Sequence, residues 1–308
     1  LLSIPRYGAL TSEERRQELA YGFGNTRSAL VKEELIAALS DPSFDVRHEA
    51  IQSLGRLPPS PAVIRALESM LGYEGLVELQ YAALTSLGRL KARESGTRIA
   101  QFLESPNPLL RARAMRTLGD IRDDSYLPRI RQMLRDDPEI GCRLAAVSAL
   151  GKFQDHESID GLLEIYRTLA SDDVSTVGEP RSKVVLLALA KILDVEATFS
   201  REWRREEQIA GYRLPSLIGR LSSILKRLSS EESSRHSRLL SNAAATLGTG
   251  RTSEAFAALQ ALRPYVAASG HAEAAMVLKI MDGTRDITQP HRALLILLAL
   301  SLQRVLSD

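Results

Sequence analysis

The five histidines of this 308-residue chain are His48, His156, His236, His271 and His291, and no two lie three or four residues apart. A helix places residues i, i+3 and i+4 on one face, so no helical pair of imidazoles exists to hold a metal ion. Cys142 is the only cysteine, which rules out an intrachain disulfide. No second Cys or His stands near it to complete a zinc or redox motif. A helix start can acidify a thiol, but Cys142 reads as a structural one. The acidic pairs Asp172-Asp173 and Glu231-Glu232 sit in polar stretches and read as solvated loops. Gly22 and Gly24 flank Phe23 in a loop too sparse in glycine to cradle a phosphate. No CxxC, HExxH, GxSxG, Walker A or dinucleotide fingerprint occurs. These residues predict no catalytic centre, no metal and no cofactor: a chain that binds rather than converts.

The elements that must present any binding residues are helices. Hydrophobic residues make up 44% of the chain and aromatics only 5%. Apolar volume carried by Leu, Ala, Ile and Val favours packed helices, where straight side chains and Ala lose little entropy. A net charge of +2 with 25% charged residues describes a mixed, solvated surface, so no nucleic-acid partner is expected. The longest apolar run, residues 293–300, falls short of the ~20 residues a bilayer requires. No signal peptide or transmembrane segment is expected, and one cysteine suits a cytoplasmic location.

Self-similarity is the strongest signal. Segments 40–57, 75–90, 105–121 and 137–153 align, each ending at a glycine: Gly55, Gly88, Gly119 and Gly151, which by subtraction are 33, 31 and 32 residues apart. Each unit reads as a first helix, a turn built on Asp-Pro or Ser-Pro, and a second helix. The second helix carries apolar residues at helical spacing: Val46, Ala50, Ile51, Leu54 and Leu57 in the first unit. Ala83, Leu84 and Leu87, then Ala114, Met115 and Leu118, then Ala146, Val147 and Leu150 are their counterparts. The glycine after the last Leu is predicted to let the chain leave its helix sharply. An arginine recurs three residues before the core alanine, at Arg47, Arg111 and Arg143, with Gln80 in the second unit and Lys183 in a degraded fifth. These arginines predict a structural ladder, each reaching an acidic group or a helix-end carbonyl.

These features resemble HEAT repeats of the bacterial kind also seen in phycobilisome lyases, over about residues 25–153. The resemblance implies an all-α fold, a right-handed α-α superhelix (HEAT-like solenoid) with irregular helical caps. Its expected parts are a linker and capping helix over 1–24, about five repeats over 25–195 with a mobile loop inserted near 171–182, and a C-terminal helical capping region over 196–308. The segment 11–14 reads as a capping box opening a helix to about Tyr21. C-terminal helices are predicted over 214–229, 236–247, 252–268, 271–282 and 289–306. Trp203 is predicted to anchor a charged helix to this cap. On a HEAT array the second helices line the concave face. The register places His48, Gln52 and Arg56 there, then Tyr81, Thr85 and Arg89, then Ala112, Arg113 and Arg116, then Leu144, Ser148 and Lys152. This mildly basic groove suits a partly acidic protein or peptide partner.

Segments 6–16, 22–28, 41–47, 199–205 and 292–300 resemble the HEAT domain that follows the transporter part of certain bacterial major facilitator superfamily proteins. That resemblance implies a regulatory or adaptor domain on the cytoplasmic side of a bacterial inner membrane, with the membrane domain of its own parent chain as partner. The start at Leu1 rather than Met is then read as a preceding transporter part. The alternatives are a bilin lyase or lyase-like chaperone, and a HEAT-like DNA glycosylase. A net charge of +2 and a sole Trp outside the clean repeats count against the glycosylase.

Overall fold

Polar caps mark where two of the second helices begin. Ser43 accepts a hydrogen bond from the Val46 N–H, and Asn107 accepts one from the Leu109 N–H at 2.9 Å, immediately before Pro108 in the first helical turn. A side-chain oxygen satisfies an orphan amide there, and proline costs nothing where no intrahelical donor is needed. The computed structural model describes residues 13–26, 31–73, 75–172, 181–208, 214–227, 231–247, 252–285, 287 and 292–306. Every regular element among them is helical, as the repeat pattern predicts.

The chain divides into two compact units, Leu1–Ala149 and Leu150–Asp308. The first holds α1 (Glu13–Thr26), α2 (Lys32–Ala38), α3 (Phe44–Leu54), α4 (Pro61–Leu71), α5 (Val77–Arg89), α6 (Gly96–Gln101), α7 (Pro108–Ile121), α8 (Leu127–Asp136) and most of α9 (Ile140–Phe153). Helices α2, α4, α6 and α8 are the first members of the pairs, and α3, α5, α7 and α9 the second. Helix α3 packs on α5, and α5 on α7. The predicted core alanines Ala50, Ala83, Ala114 and Ala146 are all fully buried. Helix α1 runs to Thr26, past the predicted end near Tyr21, and packs on α3 as a second helix would.

Three of the repeat glycines do a different job from the one predicted. Gly55 follows Leu54 as the C-cap of α3, as expected, with φ −68°, but Gly88, Gly119 and Gly151 lie inside their helices. The exits come later, at Lys91, Arg122 and Gln154, which take left-handed φ angles of 52–57°. At two of these the next amide bonds back around the turn, Ala92 N–H to Leu87 O and Asp155 N–H to Leu150 O, both at 3.1 Å. That bond offsets the cost of a left-handed L-residue. The glycines instead permit close approach between successive second helices. A Cβ on Gly119 would lie 2.8 Å from Ala149 Cα, and one on Gly55 2.5 Å from Ser86 Oγ. Within the second unit, a Cβ on Gly151 would lie 2.8 Å from Ala188 Cα. Small residues two positions before each glycine supply the other side of the contact. Two of these residues bond the preceding helix through a hydroxyl: Ser86 Oγ donates to Ile51 O at 2.9 Å, and Thr117 Oγ1 to Leu84 O at 3.0 Å.

The second unit contains the end of α9, then α10 (Ile159–Asp172), α11 (Ser182–Ile192), α12 (Glu196–Gln208), α13 (Leu214–Arg227), α14 (Glu231–Thr246), α15 (Thr252–Gln260), α16 (Arg263–Ala268), α17 (Ala274–Thr284) and α18 (Arg292–Leu306). The predicted helix over 252–268 is two helices, broken at residues 261–262. Glu231 and Glu232 open α14 rather than lying in a loop. Residues 173–180 of the predicted inserted loop, and the capping box at 11–12, lie outside the described residues. Leu294, Leu295, Ile296, Leu297 and Leu298 are all buried. A helix apolar all round must be enclosed, and α18 packs among α11, α12, α13, α15, α16 and α17. Among the described residues no helix is long and apolar enough to cross a membrane.

Steric contact at the glycine step gives a direct expectation. Gly119→Ala should destabilise the protein by about 1–3 kcal/mol, because a new methyl must displace backbone. Gly141→Ala, whose Cβ would meet nothing within 4 Å, should be neutral or stabilising by up to about 1 kcal/mol. Urea unfolding of the two variants checks the ranking; equal stability would remove the steric role.

Candidate functional site

Two surfaces of the first unit carry the residues singled out by sequence. One is the turn edge, where each first helix hands over to its second. Asp137, with a side chain only 2% exposed, receives Arg111 Nε at 2.9 Å and Nη2 at 3.0 Å in a two-pronged ion pair. The same guanidinium donates to Ser105 O at 3.0 Å and Pro106 O at 3.3 Å, the turn of its own repeat. Arg47 donates to Asp41 O at 2.6 Å and Pro42 O at 2.9 Å, and Arg143 to Asp137 O at 3.5 Å. The arginine ladder is therefore a fastening of turns, with Arg111 also crossing to the next repeat.

Sequence reasoning missed one rung. Arg16 of α1 donates to Asp41 through Nε at 2.7 Å and Nη2 at 3.3 Å, in the manner of Arg111 and Asp137. The signal was present: Arg16, Leu19, Ala20, Phe23 and Gly24 repeat the spacing of Arg47, Ala50, Ile51, Leu54 and Gly55. Helix α1 thus behaves as the second helix of a repeat.

The second surface is the solvent-facing side of α1, α3, α5 and α7 that carries the residues the register assigns to the concave face. His48 stacks on Phe44 with ring centroids 5.9 Å apart, and Gln52 Nε2 lies 3.4 Å from His48 Nδ1. Arg56 pairs with Glu49 at 2.9 Å and lies over the Tyr21 ring at 5.7 Å. Arg113 lies over the Tyr81 ring at 4.3 Å and donates to the Tyr81 hydroxyl. Thr85 turns its hydroxyl back to Tyr81 O at 2.7 Å, so it serves its own helix. Arg116, Ala112, Leu144 and Ser148 are half-buried, and Arg89 is exposed. Lys152 belongs to the second unit, also half-buried. The structure therefore brings Tyr21, Arg56, Tyr81 and Arg113 into cation–aromatic pairs that step between neighbouring repeats, each worth roughly 0.5–1 kcal/mol at such exposure. Tyr21 was not singled out by sequence, because α1 was read as a cap. Among the described residues no carboxylate pairs with Arg89, Arg113 or Arg116.

Cys142 is buried, and its thiol donates to Pro108 O at 3.2 Å. Burial and the nearby Asp137 carboxylate push its pKa up, which disfavours the reactive thiolate. In the second unit Trp203 is half-buried with Lys183 5.7 Å from its ring centroid. No cluster of three or more metal-binding side chains occurs among the described residues.

A family model described as HEAT repeats matches residues 9–88, 74–140 and 96–180, together more than half of the chain. No curated protein matches it. Among solved structures, the complex of CpcE and CpcF of phycocyanin lyase from Nostoc sp. PCC7120 is 21% identical, covering 60% of this chain and 76% of that one with a TM-score of 0.36. An engineered protein is 16% identical, covering 64% of this chain and 98% of its own with a TM-score of 0.42.

Burial alone would raise the Asp137 pKa, but the Arg111 guanidinium and the Glu139 N–H outweigh it and hold the carboxyl below its ordinary value. A folded pKa below the unfolded value of about 3.9 stabilises the fold above that pH. The contribution is lost as pH falls through the folded value. Asp137→Asn should therefore cost roughly 2–3 kcal/mol at neutral pH by leaving Arg111 uncompensated. Its urea midpoint should also fall less steeply than the wild type's on acidification below about pH 4. Identical acid profiles for the two proteins would refute the rung's electrostatic role.

Proposed function

Because the chain belongs to the HEAT-repeat family, we propose that it is a non-enzymatic scaffold that binds a protein or peptide partner along the outward face of α5 and α7. The observation that carries this reading is that Arg89, Arg113 and Arg116 have no acidic partner among the described residues, with Arg113 stacked on Tyr81. Stacking on Tyr81 holds the Arg113 guanidinium in one pose, and its Nε is buried without a hydrogen-bond partner. A fixed cation loses less side-chain entropy on binding than a free one. Such a face suits an acidic segment, whose carboxylates would take two-pronged bonds from arginine.

The partner proposed is the membrane domain of a parent transporter of the major facilitator type, with this chain as its cytoplasmic regulatory or adaptor domain. The support is the similarity of segments 6–16, 22–28, 41–47, 199–205 and 292–300 to such domains. The bilin-lyase alternative predicts pigment attachment when the chain is incubated with bilin and an apo-phycobiliprotein; the scaffold reading predicts none.

Changing Arg89, Arg113 and Arg116 together to Glu should weaken capture of the partner by at least about tenfold, with stronger salt dependence in the wild type than in the variant. Arg135→Glu, an exposed charge on α8, should leave capture unchanged. Co-purification and cross-linking with the transporter membrane domain read both. Undiminished capture by the triple variant would discard this face. Failure of the wild type to bind that domain would discard the transporter assignment.

A further inference from the structure

The ladder on the turn edge of the first unit has a gap. The place of the rung arginine in α5 is held by Gln80. The place of the acceptor aspartate is held by Ser105, which precedes Pro106 as Asp41 and Asp137 precede Pro42 and Pro138. Gln80 bonds inward, from Nε2 to Leu71 O at 2.9 Å. Ser105 Oγ caps its own turn through the Asn107 N–H at 3.2 Å. Asp137 caps its turn in the same way, through the Glu139 N–H at 3.0 Å, yet keeps its second oxygen for Arg111. A serine has no second oxygen, so nothing spans the gap.

A groove opens there. It has a volume of about 870 Å³ and is lined by Glu68, Leu71, Gln80, Phe102, Ser105 and Leu110. The groove at the intact Arg111–Asp137 rung measures about 360 Å³. Two of the exposed large hydrophobic residues, Tyr73 and Leu109, stand next in sequence to lining residues Gly72 and Leu110. The groove's other charged lining residues are Arg98 and Glu104, and Glu104 pairs with Arg129, which leaves Glu68 to supply the negative charge. Its side chain is only 14% exposed, it accepts no hydrogen bond among the described residues, and its ion-pair partner Arg98 is 4.0 Å away and 61% exposed. A mostly desolvated carboxylate with so distant a partner favours a cation delivered close to it.

The geometry points to a docking site for a guanidinium side chain of a partner peptide, flanked by apolar residues. The incoming arginine supplies the cation that the broken rung lacks, bonding Glu68 and the oxygens of Gln80 and Ser105. Its apolar neighbours cover Phe102 and Leu110. This site stands apart from the outward-face reading and survives the loss of it.

The test uses acetyl-Leu-Arg-Leu-amide as probe, with the citrulline counterpart carrying a neutral ureido group, each titrated into the full chain and followed by backbone amide NMR. The arginine probe should shift amides of residues 71–80 and 98–110 saturably. The citrulline probe should bind at least about tenfold more weakly, the scale of one charge-assisted hydrogen bond. Glu68→Gln should weaken the arginine probe by a similar factor. Gln80→Arg combined with Ser105→Asp restores the rung found at Arg111 and Asp137, and should close the groove and abolish binding while the protein still melts cooperatively. Equal binding of the two probes, shifts elsewhere in the chain, or undiminished binding by the repaired rung would each overturn the proposal. The comparison of the two probes requires no variant to fold.

Discussion

The structure depends on how closely successive second helices can approach. At Gly119 the neighbouring helix lies so near that a single methyl would sit 2.8 Å from the Ala149 Cα. Gly55 against Ser86 and, in the second unit, Gly151 against Ala188 repeat the arrangement. Interiors are packed at crystal-like density, so a spacing fixed at one layer constrains the next. The hydroxyls of Ser86 and Thr117 take part in the same contacts by bonding carbonyls of the preceding helix. Polar atoms buried at the step are thereby satisfied rather than left as a penalty.

Other features follow from that spacing. With adjacent helices held close, the turn edges fall near enough for Arg16 to reach Asp41 and Arg111 to reach Asp137. The outward faces fall near enough for Arg56 to cover Tyr21 and Arg113 to cover Tyr81. The rungs and the cation–aromatic pairs are consequences of the stack, each contributing modestly, and none sets its pitch. That ranking explains why a rung can be absent at Gln80 and Ser105 without loss of the repeat: a Cβ on Gly88 would still lie only 3.3 Å from Thr117 Cγ2. It also frees the turn edge and the outward face to vary for recognition.

Much of this was legible in the residues. The period-3.6 pattern with Ala50, Ala83, Ala114 and Ala146 predicts four buried positions, and all four are fully buried. The same register grouped Arg56, Tyr81 and Arg113 on one face, expected there to be the concave one. What escaped was three-dimensional. A glycine at a helix end and a glycine at a helix crossing look alike in one sequence, and the exits at Lys91, Arg122 and Gln154 use residues with no special turn preference. Helix α1 escaped because Leu19 stands where the other second helices have Ala, which hid its match to the repeat. In the second unit the periodicity fades, and helix boundaries such as the break at 261–262 are set by packing around α18 rather than by local signals.

The central claim is that the small-residue step sets the stacking, and a size-exchange cycle addresses it most directly. Unfolding free energies would be measured for wild type, Gly119→Ala, Ala149→Gly and the double variant. Complementary exchange should restore part of the stability lost by Gly119→Ala, giving a favourable coupling of about 1 kcal/mol or more. Additive losses in the double variant, with no coupling, would contradict the account.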